Sequence, residues 1–163
     1  MPRNAGFDER THHMTSGYVA VPNLIARYAE LIDGGDFAGV AELLQHCTIT
    51  VEETGSETRG RDDIQALYDT WTRRYEDNGT PHTKHVTTNL ILDIDEEAGR
   101  AACRSYVTVF QGVGEEFPIQ PIYSGRYRDR FERVDGEWRF TARKMIPELI
   151  GELGHHLLYP YER

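Results

Sequence analysis

Asp33 and His85 are the residues of this sequence whose types and positions best suit acid–base chemistry. Asp33 ends a predicted helix, where the negative end of the helix dipole disfavours a carboxylate. If that helix end directs Asp33 into a pocket toward a histidine, the histidine keeps a defined tautomer and a raised pKa, which suits a general base. The residues alone leave alternatives open, because aspartate also favours the turn at Asp33-Gly34-Gly35, and a lone strand histidine is often a satisfied core residue.

Residues 119–133 alternate between two kinds of side chain, so the two faces of this predicted strand differ. One face carries Tyr123, Gly125, Tyr127, Asp129 and Phe131, and the other carries Ile122, Ser124, Arg126, Arg128, Arg130 and Glu132. We expect the aromatic face in the core and the arginine face against water or another subunit. An unpaired buried carboxylate is unfavourable, so Asp129 either pairs with a cation such as Arg143 or lines a wet pocket.

His85 lies in a second predicted strand, over residues 83–94. One face of this strand carries His85, Thr87, Asn89 and Ile91, and the other carries Val86, Leu90, Leu92 and Ile94. His85 and Asn89 are about 13 Å apart along an extended chain. They can therefore line one cavity, but they cannot bond each other directly.

Patterns for other kinds of chemistry are absent from the sequence. The glycines at 112–114 lie between predicted strands and open no helix, so they form no phosphate-binding loop. No nucleophile elbow, C-x-x-C or H-E-x-x-H motif occurs. The neighbouring histidines and the cysteines lack the spread of ligands that a structural metal needs; they are His12, His13, His82, His155, His156, Cys47 and Cys103. We expect no metal site.

Length and charge narrow the class of function. With 163 residues, 39% of them hydrophobic and 28% charged, the chain has the composition of one globular domain. Its net charge of −9 argues against nucleic acid and anionic membranes as partners. No stretch approaches the roughly 20 apolar residues that span a bilayer, and the N-terminus lacks the apolar core of a signal peptide. We expect a cytoplasmic protein with reduced thiols.

Helices and then strands must position these residues. Residues 1–20 lack periodicity and predict a flexible arm, followed by one domain over 21–163. Apolar stripes predict three helices, of which the first begins near Pro22, the second follows an Asp36 cap, and the third runs from Arg61 with a stripe reaching Tyr75.

The strand signals come mostly from the second half of the chain. Strands are predicted at 48–53, 83–94, 100–110, 119–133 and 137–146. Asp135-Gly136 is a strong hairpin signal, and short turns between consecutive strands imply antiparallel pairing. The order predicts an α+β fold: a cone-shaped barrel in which N-terminal helices cap a curved antiparallel sheet and leave a pocket inside.

Five short motifs occur along the chain in a characteristic order. They are Tyr28-x4-Asp33-x2-Asp36-Phe37, Gly60-Arg61 with Ile64, His85-x3-Asn89, Gly125-Arg126-Tyr127-x-Asp129 and Asp135-Gly136-x-Trp138-Arg139-Phe140. Together they resemble the SnoaL-like family of the nuclear transport factor 2-like superfamily, over about residues 20–158. The resemblance implies the same cone-shaped α+β fold.

Within this superfamily the sequence is most similar to scytalone dehydratase, hexachlorocyclohexane dehydrochlorinase and bile acid 7α-dehydratase, which are cofactor-free lyases built around a His–Asp pair. The resemblance implies that Asp33 and His85 form this pair, with His82 as an alternative register. It also implies that Tyr28 and Tyr127 lie in the pocket.

The sequence departs from these lyases in two places. Two of them have a further histidine or aspartate in the strand that here offers Tyr106, Thr108 and Val109. The bile acid enzyme has an arginine where this chain has Pro147. The resemblance therefore implies the His–Asp pair without the acid that is specific to each substrate.

The expected function is a cofactor-independent lyase or isomerase, dehydratase-like, acting on a small apolar cyclic or aromatic molecule. His85 would take a proton, Asp33 would orient it, and Tyr28 or Tyr127 would donate a hydrogen bond to the developing oxyanion. Further residues expected to bind substrate are Asn89, Asp129, Tyr106 and Trp71. The fold also serves polyketide cyclases, ketosteroid isomerase and dioxygenase β-subunits, so the alternative is a non-catalytic small-molecule-binding or oxygenase β-subunit-like assembly module.

Two surfaces predict self-association. No helix remains to cover the arginine face of strand 119–133, and the C-terminal segment is short and apolar, with Leu153, Leu157, Leu158 and Tyr159. Exposed apolar patches on soluble proteins usually mark interfaces. We expect a homo-oligomer, with a trimer favoured by the resemblance and a dimer next.

Overall fold

The computed structural model describes residues 15–161 and confirms the α+β fold. Its elements in chain order are α1 (Gly17–Asp33), α2 (Phe37–Leu44), β1 (Thr48–Val51), β2 (Glu57–Arg59), α3 (Arg61–Trp71), β3 (Thr83–Asp95), β4 (Arg100–Val113), β5 (Phe117–Val134) and β6 (Glu137–Ile150). No helix in this part of the chain is long and apolar enough to cross a membrane.

Helix α1 begins at Gly17, earlier than the Pro22 start that the sequence predicts. Ser16 caps it, and Glu96 accepts the Gly17 N–H at 2.7 Å. A side chain at Gly17 would collide with Ile94 and Trp138, so a close approach to the sheet fixes the first turn. Residues 17–20, predicted as part of an arm, are therefore helical, whereas His12 and His13 lie outside the described residues.

The six strands form one sheet in the order β2-β1-β6-β5-β4-β3. The long strands β3 to β6 pair antiparallel in sequence, as their short turns predict. At Asp135-Gly136 both residues have positive φ, as a tight hairpin turn requires. β1 pairs parallel with β6, so the sheet is mixed rather than wholly antiparallel. It is also open, with β2 and β3 as its edges, rather than a closed barrel.

A β-bulge in each of two strands changes the faces that simple alternation predicts. In β3 the register shifts between Thr88 and Ile91, around Asn89 at φ 54°. Ile91 is consequently exposed, and the residues that pack with the core beyond the bulge are Leu90, Leu92 and Ile94.

The second bulge lies in β5, where the register with β4 shifts beside Ile122. Ile122 is fully buried, although alternation assigns it to the outer arginine face. The rest of the alternation holds, because Tyr127, Asp129 and Phe131 are buried, whereas Arg128 and Arg130 are exposed.

The three helices pack on the inner face of the sheet and build a single core. Phe37, Val40 and Leu44 of α2 are buried, and Asp36 caps that helix, as predicted, by accepting the Gly39 N–H. Burying a side chain of this size contributes about 1.5–3 kcal/mol. Helix α3 ends at Trp71, so Tyr75 does not continue its stripe.

Candidate functional site

A cavity of about 290 Å³ remains between the helices and the inner face of the sheet. Its lining is mainly aromatic and aliphatic, with hydroxyl and imidazole groups at a few points. Its wall includes Tyr28, Tyr68, His85, Val109, Tyr127 and His156. Ligand sites commonly are apolar clefts of this kind with a few converging polar groups.

Asp33 and His85 meet at the edge of this cavity. Asp33 Oδ1 lies 2.6 Å from His85 Nδ1 and accepts the Thr83 hydroxyl at 2.8 Å, while Oδ2 accepts the His85 backbone N–H at 2.8 Å. An ionised carboxylate only accepts hydrogen bonds, so Nδ1 carries the ring proton. His85 Nε2, which has no partner in residues 15–161, is then the basic nitrogen of a ring that lines the cavity.

The local sequence explains how this pair forms. Asp33 is the last residue of α1, and Gly34 and Gly35 end the helix so that its carboxylate turns toward the start of β3. There Thr83 and His85, two residues apart, direct their side chains to the same face and bond the same carboxylate. Burial raises the pKa of Asp33, but the hydrogen bonds and charge of His85 more than offset this, so the pKa lies below its usual value.

His82, the alternative register, lies elsewhere. Its Nε2 contacts Asp77 at 2.9 Å, and its ring lies against Tyr75. His82 does not line the cavity. The contact with Asp33 belongs to His85.

Tyr28 and Tyr68 add a pair of hydroxyls to the cavity wall. Their oxygens are 3.1 Å apart, and the Tyr28 ring meets the His85 ring edge to face with centroids 6.1 Å apart. Two hydroxyls carry two protons, and one proton suffices for the bond between them. The other can be donated to a ligand. Tyr68 was missed as a site residue, because its place in the apolar stripe of α3 gave only a core signal.

Asp129 pairs with Arg143, the structural outcome that the sequence allows. The guanidinium donates two hydrogen bonds, from Nε at 2.9 Å and from Nη2 at 2.8 Å, and both side chains are 0% exposed. Burial alone lowers the pKa of Arg143, but Asp129 raises it further, so the charge persists. Asp129 does not line the cavity, contrary to the expectation that it binds substrate.

Arg143 nevertheless contacts the wall of the cavity from behind. Its Cζ lies 4.3 Å from the Tyr28 ring centroid and 4.2 Å from that of Tyr127. A cation over an aromatic face is attracted to it, most strongly where water is excluded. The ion pair thus fixes the orientation of both cavity tyrosines, and the burial of Tyr127 raises the pKa of its hydroxyl.

Of the remaining residues predicted to bind substrate, one lines the cavity and two do not. Asn89 lies at the β3 bulge and is exposed, and Tyr106 is 52% exposed on the outer face of β4. Neither lines the cavity, because the bulge removes Asn89 from the face of His85 and alternation turns Tyr106 outward. Trp71 lines the cavity at its rim and is 44% exposed.

Residues 151–161 fold back beside α3 rather than forming a free apolar patch. Leu153 and Leu157 line the cavity, whereas Leu158 and Tyr159 stay exposed. His156 from this segment also lines the cavity. Sequence reasoning missed His156, because its only signal was an adjacent pair of histidines and it lies far along the chain from His85.

Comparison with known proteins identifies relatives of the chain. The sequence model described as a SnoaL-like domain matches residues 6–144. A variant of a function-unknown protein from Mycobacterium tuberculosis has a TM-score of 0.65 and 24% identity, covering 82% of this chain and 72% of that chain. No curated protein sequence matches.

Two further solved structures with the same fold are a protein named for an enzyme activity and a protein named LinA. A protein assigned as a scytalone dehydratase from Novosphingobium aromaticivorans has a TM-score of 0.61 and 22% identity, covering 83% of this chain and 91% of that chain. LinA has a TM-score of 0.63 and 21% identity, covering 88% of this chain and 94% of that chain. At these identities the likeness establishes a shared fold.

Proposed function

The chain belongs to the SnoaL-like domain family, and from this premise we propose that it is a cofactor-independent lyase or isomerase acting on a small cyclic or aromatic molecule. The observation that carries the proposal is the bond from His85 Nδ1 to Asp33 at the edge of an otherwise apolar cavity. The dehydratase name of one structural neighbour supports the same class of reaction.

In the proposed reaction His85 is the general base. Nε2 takes a proton from a carbon next to a carbonyl group, and Asp33 stabilises the imidazolium that forms. The free hydroxyl proton of the Tyr28–Tyr68 pair stabilises the negative charge that develops on the carbonyl oxygen.

The electron pair of the broken C–H bond then has two possible destinations. In an elimination it forms a C=C bond while a hydroxyl on the next carbon takes the proton back from His85 and leaves as water. In an isomerisation the same proton returns to a different carbon. Both outcomes leave His85 neutral and need no external oxidant or reductant.

A non-catalytic carrier of small molecules is the second candidate. Strand β4 favours it, because its contribution to the cavity is aliphatic, through Val109, and Tyr106 faces outward. The cavity therefore lacks the further acid that some related lyases have on this strand. An assembly module is less favoured, since it would fill the interior with side chains, and this interior contains a cavity.

A β-hydroxy cyclic ketone, 3-hydroxy-1-tetralone, tests the proposal, because its dehydration yields 1-naphthol, which absorbs and fluoresces differently. We expect turnover by the wild-type protein and a loss of roughly 10²–10⁴-fold in His85→Gln, the range for removal of a general base. His82→Gln is the matched control and should keep the wild-type rate. Equal turnover in His85→Gln, or none above buffer in the wild type with this ketone and a panel of related cyclic hydroxyketones, contradicts the proposal.

We also propose that the chain forms a homo-oligomer, a trimer first and a dimer next, through the outer face of the sheet. No described helix covers this face, which exposes Tyr106, opposite Arg126 of β5, and further along β5 exposes Arg128 and Arg130. Multi-angle light scattering at micromolar concentration tests it, with Tyr106→Glu expected to shift the mass toward the monomer. A monomeric wild-type protein overturns it.

A further inference from the structure

His156 is an imidazole in the cavity that the proposed chemistry does not use. It lies on the segment after β6 that folds back beside α3, and its ring lines the same cavity as that of His85. Its neighbour His155 is a useful contrast, because that ring stacks on Phe117 with centroids 4.4 Å apart and does not line the cavity.

The backbone around His156 is held in place by hydrogen bonds to distant parts of the chain. The carbonyl of His156 accepts the Arg73 N–H at 2.8 Å, and its own N–H donates to the Leu153 carbonyl at 2.9 Å. The carbonyl of His155 accepts from the Tyr75 hydroxyl at 2.6 Å and from Gln111 Nε2 at 3.0 Å. The backbone that carries the imidazole is therefore held in place and is not a loose tail.

The ring itself has no hydrogen-bond partner in the described residues. Its Nδ1 is buried and unsatisfied. Buried polar side-chain atoms are paired in the large majority of structures, and an unpaired one lowers stability. Because Nδ1 is enclosed by protein, the nitrogen that a ligand in the cavity can reach is Nε2, which also has no partner in the described residues.

The charge state of His156 limits what it can do. Burial lowers its pKa to about 4, the nearby His85 acts in the same direction, and Asp33 opposes them. Near neutral pH the ring is thus uncharged, with one N–H donor and one acceptor nitrogen. It is a weak source of protons, but it can bond a hydroxyl or carbonyl oxygen without introducing a buried charge.

We propose that His156 is a substrate-binding residue that hydrogen-bonds an oxygen of a cyclic or aromatic ligand. The preferred substrate class is then an oxygenated ring, such as a phenol, cyclic alcohol or cyclic ketone, over a hydrocarbon or halogenated ring of the same shape. This inference rests on the proposed use of the cavity as a small-molecule site and assigns the group that recognises the ligand.

Two probes of nearly the same shape test this assignment: 1-naphthol and naphthalene, titrated into ¹⁵N-labelled protein and followed by NMR. We expect the wild type to prefer 1-naphthol and the ring nitrogens of His156 to shift with 1-naphthol more than with naphthalene. His156→Leu should weaken 1-naphthol binding by about 3–10-fold, as the loss of one hydrogen bond implies. It should leave naphthalene binding within about twofold.

Further variants separate a hydrogen bond from a change of cavity shape. His156→Gln retains a donor and an acceptor and should recover part of the preference for 1-naphthol. His155→Leu, the matched control, should bind both probes as the wild type does. Equal binding of the two probes by the wild type, or equal weakening of both in His156→Leu and His156→Gln, overturns the assignment, as does binding of neither probe.

The result is independent of catalysis, because neither probe reacts. If His85→Gln turned out to have no effect on turnover, a selective loss of 1-naphthol binding in His156→Leu would still stand. Conversely, an unselective result at His156 would leave a dependence of turnover on His85 intact.

Discussion

Two carboxylates in this protein pair with basic side chains, and their surroundings make the two pairs opposite in character. Asp33 and His85 meet at the edge of the cavity, and one ring nitrogen is left without a partner. Asp129 and Arg143 are joined by two hydrogen bonds with both side chains fully buried. The first pair offers a ring nitrogen that can take up a proton, whereas the guanidinium of the second pair keeps its charge.

The difference follows from the partner and from access to the cavity. An imidazole changes charge near neutral pH, but a guanidinium does not. Asp129 and Arg143 are both removed from water, so each depends on the other to balance the unfavourable burial of its charge. Of these two carboxylates, only Asp33 therefore has a partner that can exchange a proton with a ligand in the cavity.

The largest expected effect comes from breaking the sealed pair, which is the fully buried ion pair of Asp129 and Arg143. Arg143→Leu should lower the free energy of unfolding by about 3–5 kcal/mol, because Asp129 is left as an uncompensated buried charge. Chemical denaturation measures this. Arg139→Leu, which breaks the half-exposed pair with Glu132, is the control and should change stability by less than about 1 kcal/mol. A loss as small as the control would mean that the buried pair does not stabilise the fold as described.

Mild acid should destabilise the fold through His156 in the cavity. The pKa of His156 is about 4 in the folded protein and 6.5 in a free histidine, so the unfolded state binds more protons between these values. Protonation of His156 therefore leaves the free energy of unfolding unchanged above about pH 6.5 and lowers it as the pH decreases toward 4, by roughly 3 kcal/mol in all. His156→Leu should show a flatter dependence of the melting midpoint on pH over this window. Parallel curves for the two proteins would contradict the burial of a neutral His156.

The carboxylate of the cavity pair should contribute less than the sealed one. Asp33→Asn should lower stability by about 1.5–3 kcal/mol at pH 7, because it weakens charge-assisted hydrogen bonds. The pKa of Asp33 is lowered, so its contribution is present above about pH 4 and is lost as the pH falls through its folded pKa. The difference between variant and wild type should therefore shrink below pH 4 in denaturation curves. Asp93→Asn, at an exposed site on β3, should show no comparable difference at either pH.

The smallest expected effect on stability is at His85 itself. His85→Gln keeps a donor for Asp33, so the melting midpoint should change by less than about 2–4 °C, the shift that 1 kcal/mol produces in a chain of this size. Differential scanning fluorimetry is sufficient for this measurement. A drop of several degrees would indicate that His85 serves the fold rather than the proposed chemistry.

Much of the scaffold could be predicted from the sequence, because its signals are local. Asp36 caps α2 through a side-chain bond within its own turn, and Asp135-Gly136 has the backbone freedom that a tight hairpin requires. The alternation of β5 correctly places Tyr127 inward and Arg128 outward. The resemblance to a known family, and not the periodicity, supplied the Asp33–His85 pair.

The sequence by itself determined which segments are helices or long strands, since these depend on neighbours within a few residues. Only the tertiary structure decided that β1 runs parallel to β6, that a bulge moves Asn89 out of the cavity, and that the C-terminal segment brings His156 into it. Each of these features depends on contacts between residues far apart in the chain. Such contacts form when packing against the sheet outweighs local preference, and no local pattern records that balance.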